Sequence, residues 1–196
     1  IAVLLGNNSS KSSWSTIILH FRLPKAIAAM LVGSGLSIAG LLMQTLFKNP
    51  LAGPFVLGIS SGASLGVAIL ILGAGIFGGV LTTVSFSSWG LAIASSLGAS
   101  IVLLAVLITA HKVRNTMSIL IIGLMFGTVT SAIISVFTFF SDAEKIQQFV
   151  FWGFGSLGNL SWNEILVFFI IYLISILTLL NVIKPLNTFL LGENYA

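Results

Sequence analysis

Five apolar stretches, each about as long as a bilayer is thick, constrain this chain more than any other feature. The hydrocarbon core of a bilayer is about 30 Å thick and takes roughly 20 apolar residues in a helix, because every backbone polar group must be satisfied within the segment. The stretches run from Ala26 to Phe47, Phe55 to Phe77, Trp89 to Ala110, Met117 to Phe140 and Ile165 to Ile183. The pattern predicts an all-α polytopic membrane protein with about five complete transmembrane helices.

The composition leads to the same class of protein. Charged residues make up 6% of the chain, whereas a soluble domain carries about 25%. The Lys and Arg residues lie singly or in pairs between the apolar stretches, as charges at a membrane interface do, so the net charge of +4 does not indicate nucleic-acid binding. The chain has no cysteine, and His20 and His111 lie near basic residues at the ends of apolar stretches. We therefore expect neither a metal site nor a cofactor.

The connections between the stretches are polar and mostly short. We expect Asn7–Arg22 and Asp142–Lys145 to be connections of this kind. Lys48-Asn49-Pro50 and Lys184-Pro185 are expected to end helices, because proline cannot donate to the helical hydrogen-bond ladder. Ile1–Leu5 is expected to be the tail of an earlier helix, and the chain to be a piece of a longer protein.

Small residues recur at helical spacing in the second stretch. Gly58, Gly62 and Gly66 share one helix face, with Ser60 and Ser61 beside them. A similar row occurs in the fourth stretch, at Gly123, Gly127, Ser131 and Ser135. Such faces let helix backbones approach closely in lipid. Ordinary helix packing explains these rows. A pore lining is the alternative, and the pair Ser60 and Ser61 suits a polar path.

The segment that joins the first two stretches is unusual for a membrane loop. It reads QTLFKNPLAGPFVLGISSG from Gln44 to Gly62, with prolines, glycines and serines interrupting an apolar run. Irregular backbone at membrane depth is tolerated only where protein or a water-filled cavity satisfies its polar groups. We therefore expect a turn that faces a cavity rather than lipid.

The spans contain no ionisable residue near their middle, and this bears on the source of energy. A proton-coupled transporter normally needs a buried Asp, Glu or His relay. The ATP-binding motif G-x-x-x-x-G-K-[ST] does not occur in the chain either, so ATP chemistry would belong to another subunit.

Several segments together resemble a known family. They are RLPK from Arg22, then LVGSGLSIAGLLMQ, KNPLAGPFVLGISSGASLG, FVFWGFGSLG and the closing PLNTFLLGENYA. In this order and spacing they resemble the iron–siderophore, haem and cobalamin permeases of type II ATP-binding-cassette (ABC) importers. The resemblance runs from about Arg22 to the end and matches the first half of a ten-helix permease. It implies that residues 1–196 are a partial permease domain, from the end of span 1 through span 6, truncated before the coupling helices are complete.

The resemblance also implies an orientation and a docking site. Lys and Arg divide four against four between the two sides and leave the orientation open. Family topology places both termini in the cytoplasm and Asn7–Lys25 outside. Basic residues matching Arg22 and Lys25 receive acidic side chains of a substrate-binding protein in this family. Arg is usual at the second position, and Lys25 keeps the charge without the bidentate geometry.

Two cytoplasmic features are implied by the same resemblance. One is a gate that closes the cytoplasmic end of the path, formed by Asn49, Leu51, Asn115 and Thr116. The other is the contact with the ATPase subunit, towards which Gly192 and Glu193 lead.

The implied function is that of a non-catalytic permease subunit in a bacterial inner or plasma membrane. It would move metal chelates or cobalamin inward by alternating access, with an ABC ATPase subunit, a substrate-binding protein and a second permease copy as partners in the lipid bilayer. Half of a secondary transporter or channel is an alternative, and so is a membrane assembly subunit that transports nothing.

Overall fold

The computed structural model describes residues 12–74, 87–113, 116–158 and 160–191, and the regular structure there is helical. The described residues form seven α-helices: α1 Ser12–Ile17, α2 Leu23–Phe47, α3 Ile59–Ile71, α4 Ser88–Ala110, α5 Thr116–Phe139, α6 Ala143–Phe154 and α7 Trp162–Leu191. A π-helical turn, Ile18–Arg22, joins α1 to α2, and a 3₁₀ turn, Pro54–Leu57, precedes α3. The chain divides into a first unit, Ile1–Pro50 with Ser156–Ala196, and a second unit, Leu51–Gly155.

Within the described residues, four helical segments are long and apolar enough to cross a membrane. They are Trp14–Phe47, Ser88–Ala110, Met117–Phe139 and Trp162–Thr188. The prediction of an all-α polytopic membrane protein is confirmed. The stretch predicted from Phe55 to Phe77 differs, because its described part consists of the 3₁₀ turn and the 13-residue helix α3. Gly58, with a φ of 71°, lies between them and interrupts the helix.

The predicted polar connection Asn7–Arg22 is wrong over its described part. Helical structure begins at Ser12 and continues through the π-helical turn into α2. The turn is marked by a hydrogen bond from the Leu23 amide to the Ile18 carbonyl. Its position has a physical cause, since Pro24 has no amide hydrogen and its ring would clash with the carbonyl four residues earlier in a regular helix. Ile1–Leu5 lies outside the described residues.

The predicted end of the first complete helix at Lys48-Asn49-Pro50 is confirmed. Helix α2 ends at Phe47, and Lys48 adopts the left-handed conformation with a φ of 48°. The Asn49 amide donates to the Gln44 carbonyl and the Lys48 amide donates to the Thr45 carbonyl. These two bonds make a Schellman motif, in which glycine is the usual left-handed residue.

Replacing Lys48 with glycine is expected to stabilise the protein by about 1 kcal/mol, because glycine carries no steric penalty in the left-handed region. Lys48→Val should destabilise it, since a β-branched side chain fits that region poorly. Thermal unfolding in detergent measures both. Equal melting temperatures for the two variants would contradict the assignment of strain to Lys48.

Two further boundaries differ from the prediction. Asp142 and Lys145, expected in a connection, belong to the start of helix α6: Asp142 is its N-cap residue and pairs with Lys145 at 3.0 Å. The sequence interpretation missed this helix. Helix α7 does not end at Lys184-Pro185 and continues to Leu191. Pro185 withdraws one donor from the ladder and crowds the carbonyl four residues earlier, but the residues that follow it carry no second helix breaker before Gly192.

Helix α3 is the centre of the second unit and packs against α4, α5 and α6. Val67, Ala68, Ile71 and Leu72 form its buried cluster. The side chains around the cluster come from all three neighbours: Leu91, Ile134, Phe137, Ile146, Phe149 and Trp152. At the far end of α3, the Ser141 hydroxyl lies within hydrogen-bonding distance of the carbonyls of Phe137 and Leu72, at 2.6 and 3.3 Å. In the first unit, α2 packs against α7.

Candidate functional site

Glycines place the backbones of α3 and α4 in direct contact. A Cβ atom on Gly62 would lie 2.6 Å from the carbonyl oxygen of Gly98. A Cβ on Gly98 would overlap the carbonyl oxygen of Gly62, and one on Gly66 would overlap that of Ala94. These atoms are backbone, so they cannot turn aside as a flexible side chain would. The α3–α4 contact therefore excludes any side chain at these three positions.

The start of α3 meets α5 in the same way. A Cβ on Gly58 would lie 2.9 Å from the Gly123 carbonyl oxygen, and a Cβ on Gly123 would overlap the Val56 carbonyl oxygen. The predicted row of Gly58, Gly62 and Gly66 thus lies along helix contacts, the first with α5 and the other two with α4.

A groove of about 430 Å³ opens beside this contact, within the second unit. Three serines of α3 and two of α5 line it, together with one aliphatic and one aromatic side chain: Ser60, Ser61, Ser64, Ser131, Ser135, Ile134 and Phe149. Helix α6 supplies Phe149. The Ser61 hydroxyl lies over Gly127, 3.3 Å from where a Cβ on that glycine would be. The structure therefore brings Ser60 and Ser61 together with three other serines.

The hydroxyls of this groove differ in their hydrogen bonding. Ser131 donates to the Gly127 carbonyl at 2.9 Å and Ser135 donates to the Ser131 carbonyl at 3.0 Å, as serines in membrane helices commonly do. Within the described part of the chain, Ser60, Ser61 and Ser64 have no such partner. None of the described residues that line the groove is ionisable. It therefore offers uncharged donors and acceptors to water or to a polar solute, without selecting by charge.

The two cations proposed to dock a partner lie at the start of the first long span. Arg22 ends the π-helical turn and Lys25 lies in the first turn of α2, and both side chains are exposed. Arg22 also lines a cavity of about 260 Å³ with Trp14, Ile17 and Ile18. Among the described residues, neither cation forms a salt bridge.

The predicted gate residues fall in several places. Asn49 belongs to the Schellman motif at the end of α2, and Leu51, which begins the second unit, is 85% exposed. Thr116 is the first residue of α5. The fourth gate residue, Asn115, lies outside the described residues. So do Gly192 and Glu193, which are predicted to lead to the ATPase subunit.

The sequence interpretation missed Ser64 as a lining residue, and for the row with Ser131 and Ser135 it favoured packing and kept a pore lining as the alternative. The spacing contained the signal, because Ser60 and Ser64 are four residues apart and so are Ser131 and Ser135. Residues four apart share a helix face. The sequence does not show that the two faces meet at one groove.

Known proteins resemble this chain over nearly all of its length. A probable iron chelatin transport system permease of Helicobacter pylori is 39% identical over 165 residues, covering 84% of this chain and 47% of that protein. The vitamin B12 import system permease protein BtuC of Escherichia coli is 32% identical over 191 residues, covering 94% of this chain and 55% of BtuC. The chain spans about half the length of the curated relatives it matches.

A solved structure and a family model agree with these relatives. An ABC transporter of the metal-chelate type, in an inward-facing conformation, superposes with a TM-score of 0.80 at 28% identity, covering 95% of this chain and 57% of that one. The model of the FecCD transport family matches residues 1–196. The match extends over the whole chain, so this protein belongs to the FecCD transport family.

Proposed function

We propose that the chain is part of the permease subunit of an ABC importer for iron chelates or cobalamin-type compounds in a bacterial cell membrane. The observation that carries the proposal is the family match over all 196 residues. The named relatives, an iron chelatin permease and a vitamin B12 permease, support this substrate class. The partners are an ATPase subunit, a substrate-binding protein and a second permease copy.

The distribution of charge supports an external source of energy. No Asp, Glu, His, Lys or Arg occurs between Lys25 and Lys48, in Ser88–Ala110 or in Met117–Phe139. A proton relay across these spans has no residue to use. In the proposed mechanism, ATP binding and hydrolysis in the separate subunit supply the energy for alternating access.

We assign the serine-lined groove to the polar side of the transport path. A chelate presents carbonyl, hydroxyl or amide groups at its periphery, and the hydroxyls of Ser60, Ser61 and Ser64 can exchange hydrogen bonds with such groups. A neutral lining holds the solute weakly, as a path must if the solute is to leave again. The cytoplasmic end of the path is closed by the proposed gate of Asn49, Leu51, Asn115 and Thr116.

Uptake by cells tests the proposal against secondary transport. Cells that express the full-length permease with its ATPase and binding protein are supplied with a radioactive iron chelate or labelled cobalamin in the medium. Depleting ATP should stop accumulation, whereas an uncoupler applied while ATP is maintained should leave it intact. The opposite pattern, with uptake lost to the uncoupler and indifferent to ATP, would show that the protein is a secondary transporter.

The external docking site gives a salt-dependent prediction. The double variant Arg22→Glu/Lys25→Glu should capture the binding protein about tenfold more weakly at low salt, because like charges would then face the acidic side chains of the partner. The loss should shrink at high salt, where exposed charges are screened. Pull-down of the binding protein by the purified complex measures capture.

Lys112→Glu is the matched control, since Lys112 is exposed and lies on the side proposed to be cytoplasmic. It should leave capture unchanged. Unaltered capture by a double variant that inserts normally into the membrane would remove Arg22 and Lys25 from the docking site.

We also propose that Gly192 and Glu193 lead into the contact with the ATPase. The support is the resemblance of the closing segment together with the course of α7, which extends past Pro185 to Leu191 and so towards these residues. A photoreactive cross-linker at Glu193 should capture the ATPase in the intact complex. Failure to capture it in any nucleotide state would leave the segment as a connector.

A further inference from the structure

A hydrogen bond between side chains joins α2 to α7 inside the first unit. The Tyr172 hydroxyl donates to Ser34 Oγ at 2.8 Å, and Ser34 Oγ donates in turn to the Met30 carbonyl at 2.7 Å. The tyrosine ring lies beside Gly35, and its Cε2 atom would be in ordinary van der Waals contact, at 3.7 Å, with a Cβ on that glycine. The contact thus combines a polar bond with a ring that fits against a position without a side chain.

The positions of these residues connect two functional regions. At 1.5 Å per residue, Ser34 lies about 20 Å from the end of α2, where the Schellman motif carries Asn49. Tyr172 lies about 30 Å from Leu191, the last described residue of α7. Helix α7 is continuous between them. A displacement at the C-terminal end of α7 would therefore be transmitted along a single helix to Tyr172, which contacts Ser34.

We propose that Tyr172 is a positioning residue that makes α2 follow α7 during transport. The proposal rests on the proposed function, since it links the ATPase contact at the end of α7 to the gate residue Asn49 at the end of α2. Lipid supplies no hydrophobic drive between helices, so α2 and α7 are held by packing and by bonds of this kind. The hydroxyl pair fixes their register, because sliding by one turn would separate the two oxygens by about 5 Å.

The hydroxyl of Tyr172 can be removed without disturbing its surroundings. In Tyr172→Phe the ring still lies against Gly35. Ser34 keeps the hydrogen bond that it donates to the Met30 carbonyl, so its hydroxyl is not left without a partner. Ser34→Ala is the harsher variant, because it leaves the tyrosine hydroxyl without its acceptor.

The 196 residues contain no cysteine, and this permits a direct readout once any cysteine elsewhere in the full-length permease has been replaced. Asn49→Cys is introduced into the full-length permease, which is assembled with its ATPase and binding protein. Maleimide labelling of this cysteine is compared between the resting and ATP-trapped complexes. The expected result is that Tyr172→Phe reduces the nucleotide-dependent difference in labelling rate by about three- to tenfold, the range that one interhelical hydrogen bond in a membrane supplies. ATP hydrolysis should persist, so each substrate molecule imported would consume more ATP.

Ser37→Ala is the matched control, because the Ser37 hydroxyl donates only to the Gly33 carbonyl of its own helix, at 2.8 Å. In the Ser37→Ala background, Asn49→Cys should be labelled at the same rates as in the parent background. If Tyr172→Phe and Ser34→Ala both keep the full nucleotide-dependent difference, the proposal is overturned. It is also overturned if the parent imports substrate while Asn49→Cys labels equally in both states. A parent complex that imports nothing with ATP would instead overturn the proposed function.

Discussion

Replacing Gly98 with alanine is expected to destabilise the protein by about 3 kcal/mol or more, at the upper end of the cost of overpacking. The new Cβ would overlap the Gly62 carbonyl oxygen and would lie 2.8 Å from the Gly66 amide nitrogen. Both groups are backbone atoms of α3, so relief requires α3 and α4 to separate. The direction of this change in stability is informative, because replacing glycine with alanine inside a helix otherwise stabilises it by about 1 kcal/mol. Thermal unfolding of the detergent-solubilised protein measures the loss.

Gly40→Ala is the matched control for this variant. Gly40 also lies inside a long apolar helix, but nothing lies within 4 Å of where its Cβ would be. We expect this variant to be as stable as the parent or slightly more stable. If Gly98→Ala unfolds at the same temperature as Gly40→Ala, the close contact between α3 and α4 does not exist in the protein.

The second large effect is expected at the proposed cytoplasmic gate. Cysteines placed at Asn49 and Thr116 should each change their rate of labelling by about tenfold or more between the resting and ATP-trapped complexes, because the two states would differ in whether the path is open to the cytoplasm. Asn49 lies directly before Pro50, which prevents the turn from continuing as helix. Quantitative maleimide labelling in inverted membrane vesicles gives the rates.

Lys184→Cys supplies the comparison for the gate. Lys184 is exposed on the side proposed to be cytoplasmic and lies outside the proposed gate. Its labelling should be the same in both nucleotide states. If Asn49→Cys and Thr116→Cys label as uniformly as Lys184→Cys, these residues do not form the gate.

The sequence was a good guide where an apolar run is unbroken and has polar residues at both ends. The predicted stretches Trp89–Ala110 and Met117–Phe140 agree within one residue with α4 and α5. In such runs the need to satisfy the backbone in lipid outweighs local propensity, so length and hydropathy suffice.

It was a poorer guide where tertiary contacts decide. Helix α6 has one face against the core of the second unit, through Ile146, Phe149 and Trp152, whereas the sequence interpretation covers only its start, Asp142–Lys145, and predicts a connection there. Pro185, predicted to end a helix, lies inside α7, and Pro24 follows a π-helical turn within continuous helical structure. Whether a helix tolerates proline depends on the turn before it, which single-residue preferences do not contain.

The candidate site shows the same division. The row from Gly58 to Gly66 is visible as a spacing, but the atoms it meets on Gly98 and Gly123 come from distant parts of the sequence. The bond between Ser34 and Tyr172 spans 138 positions and has no local signal. Partners of this kind are set by the packing of whole helices.

ATP-driven import by purified components tests the central claim most directly. The full-length permease, its ATPase and its binding protein are reconstituted in liposomes, and a labelled iron chelate or cobalamin is supplied on the side of the binding protein. The account predicts accumulation that requires ATP and the binding protein. Accumulation should cease when the lysine of the ATP-binding motif G-x-x-x-x-G-K-[ST] in the ATPase is replaced. Accumulation that continues with the inactive ATPase, or none with any iron chelate or cobalamin although ATP is hydrolysed, would contradict it.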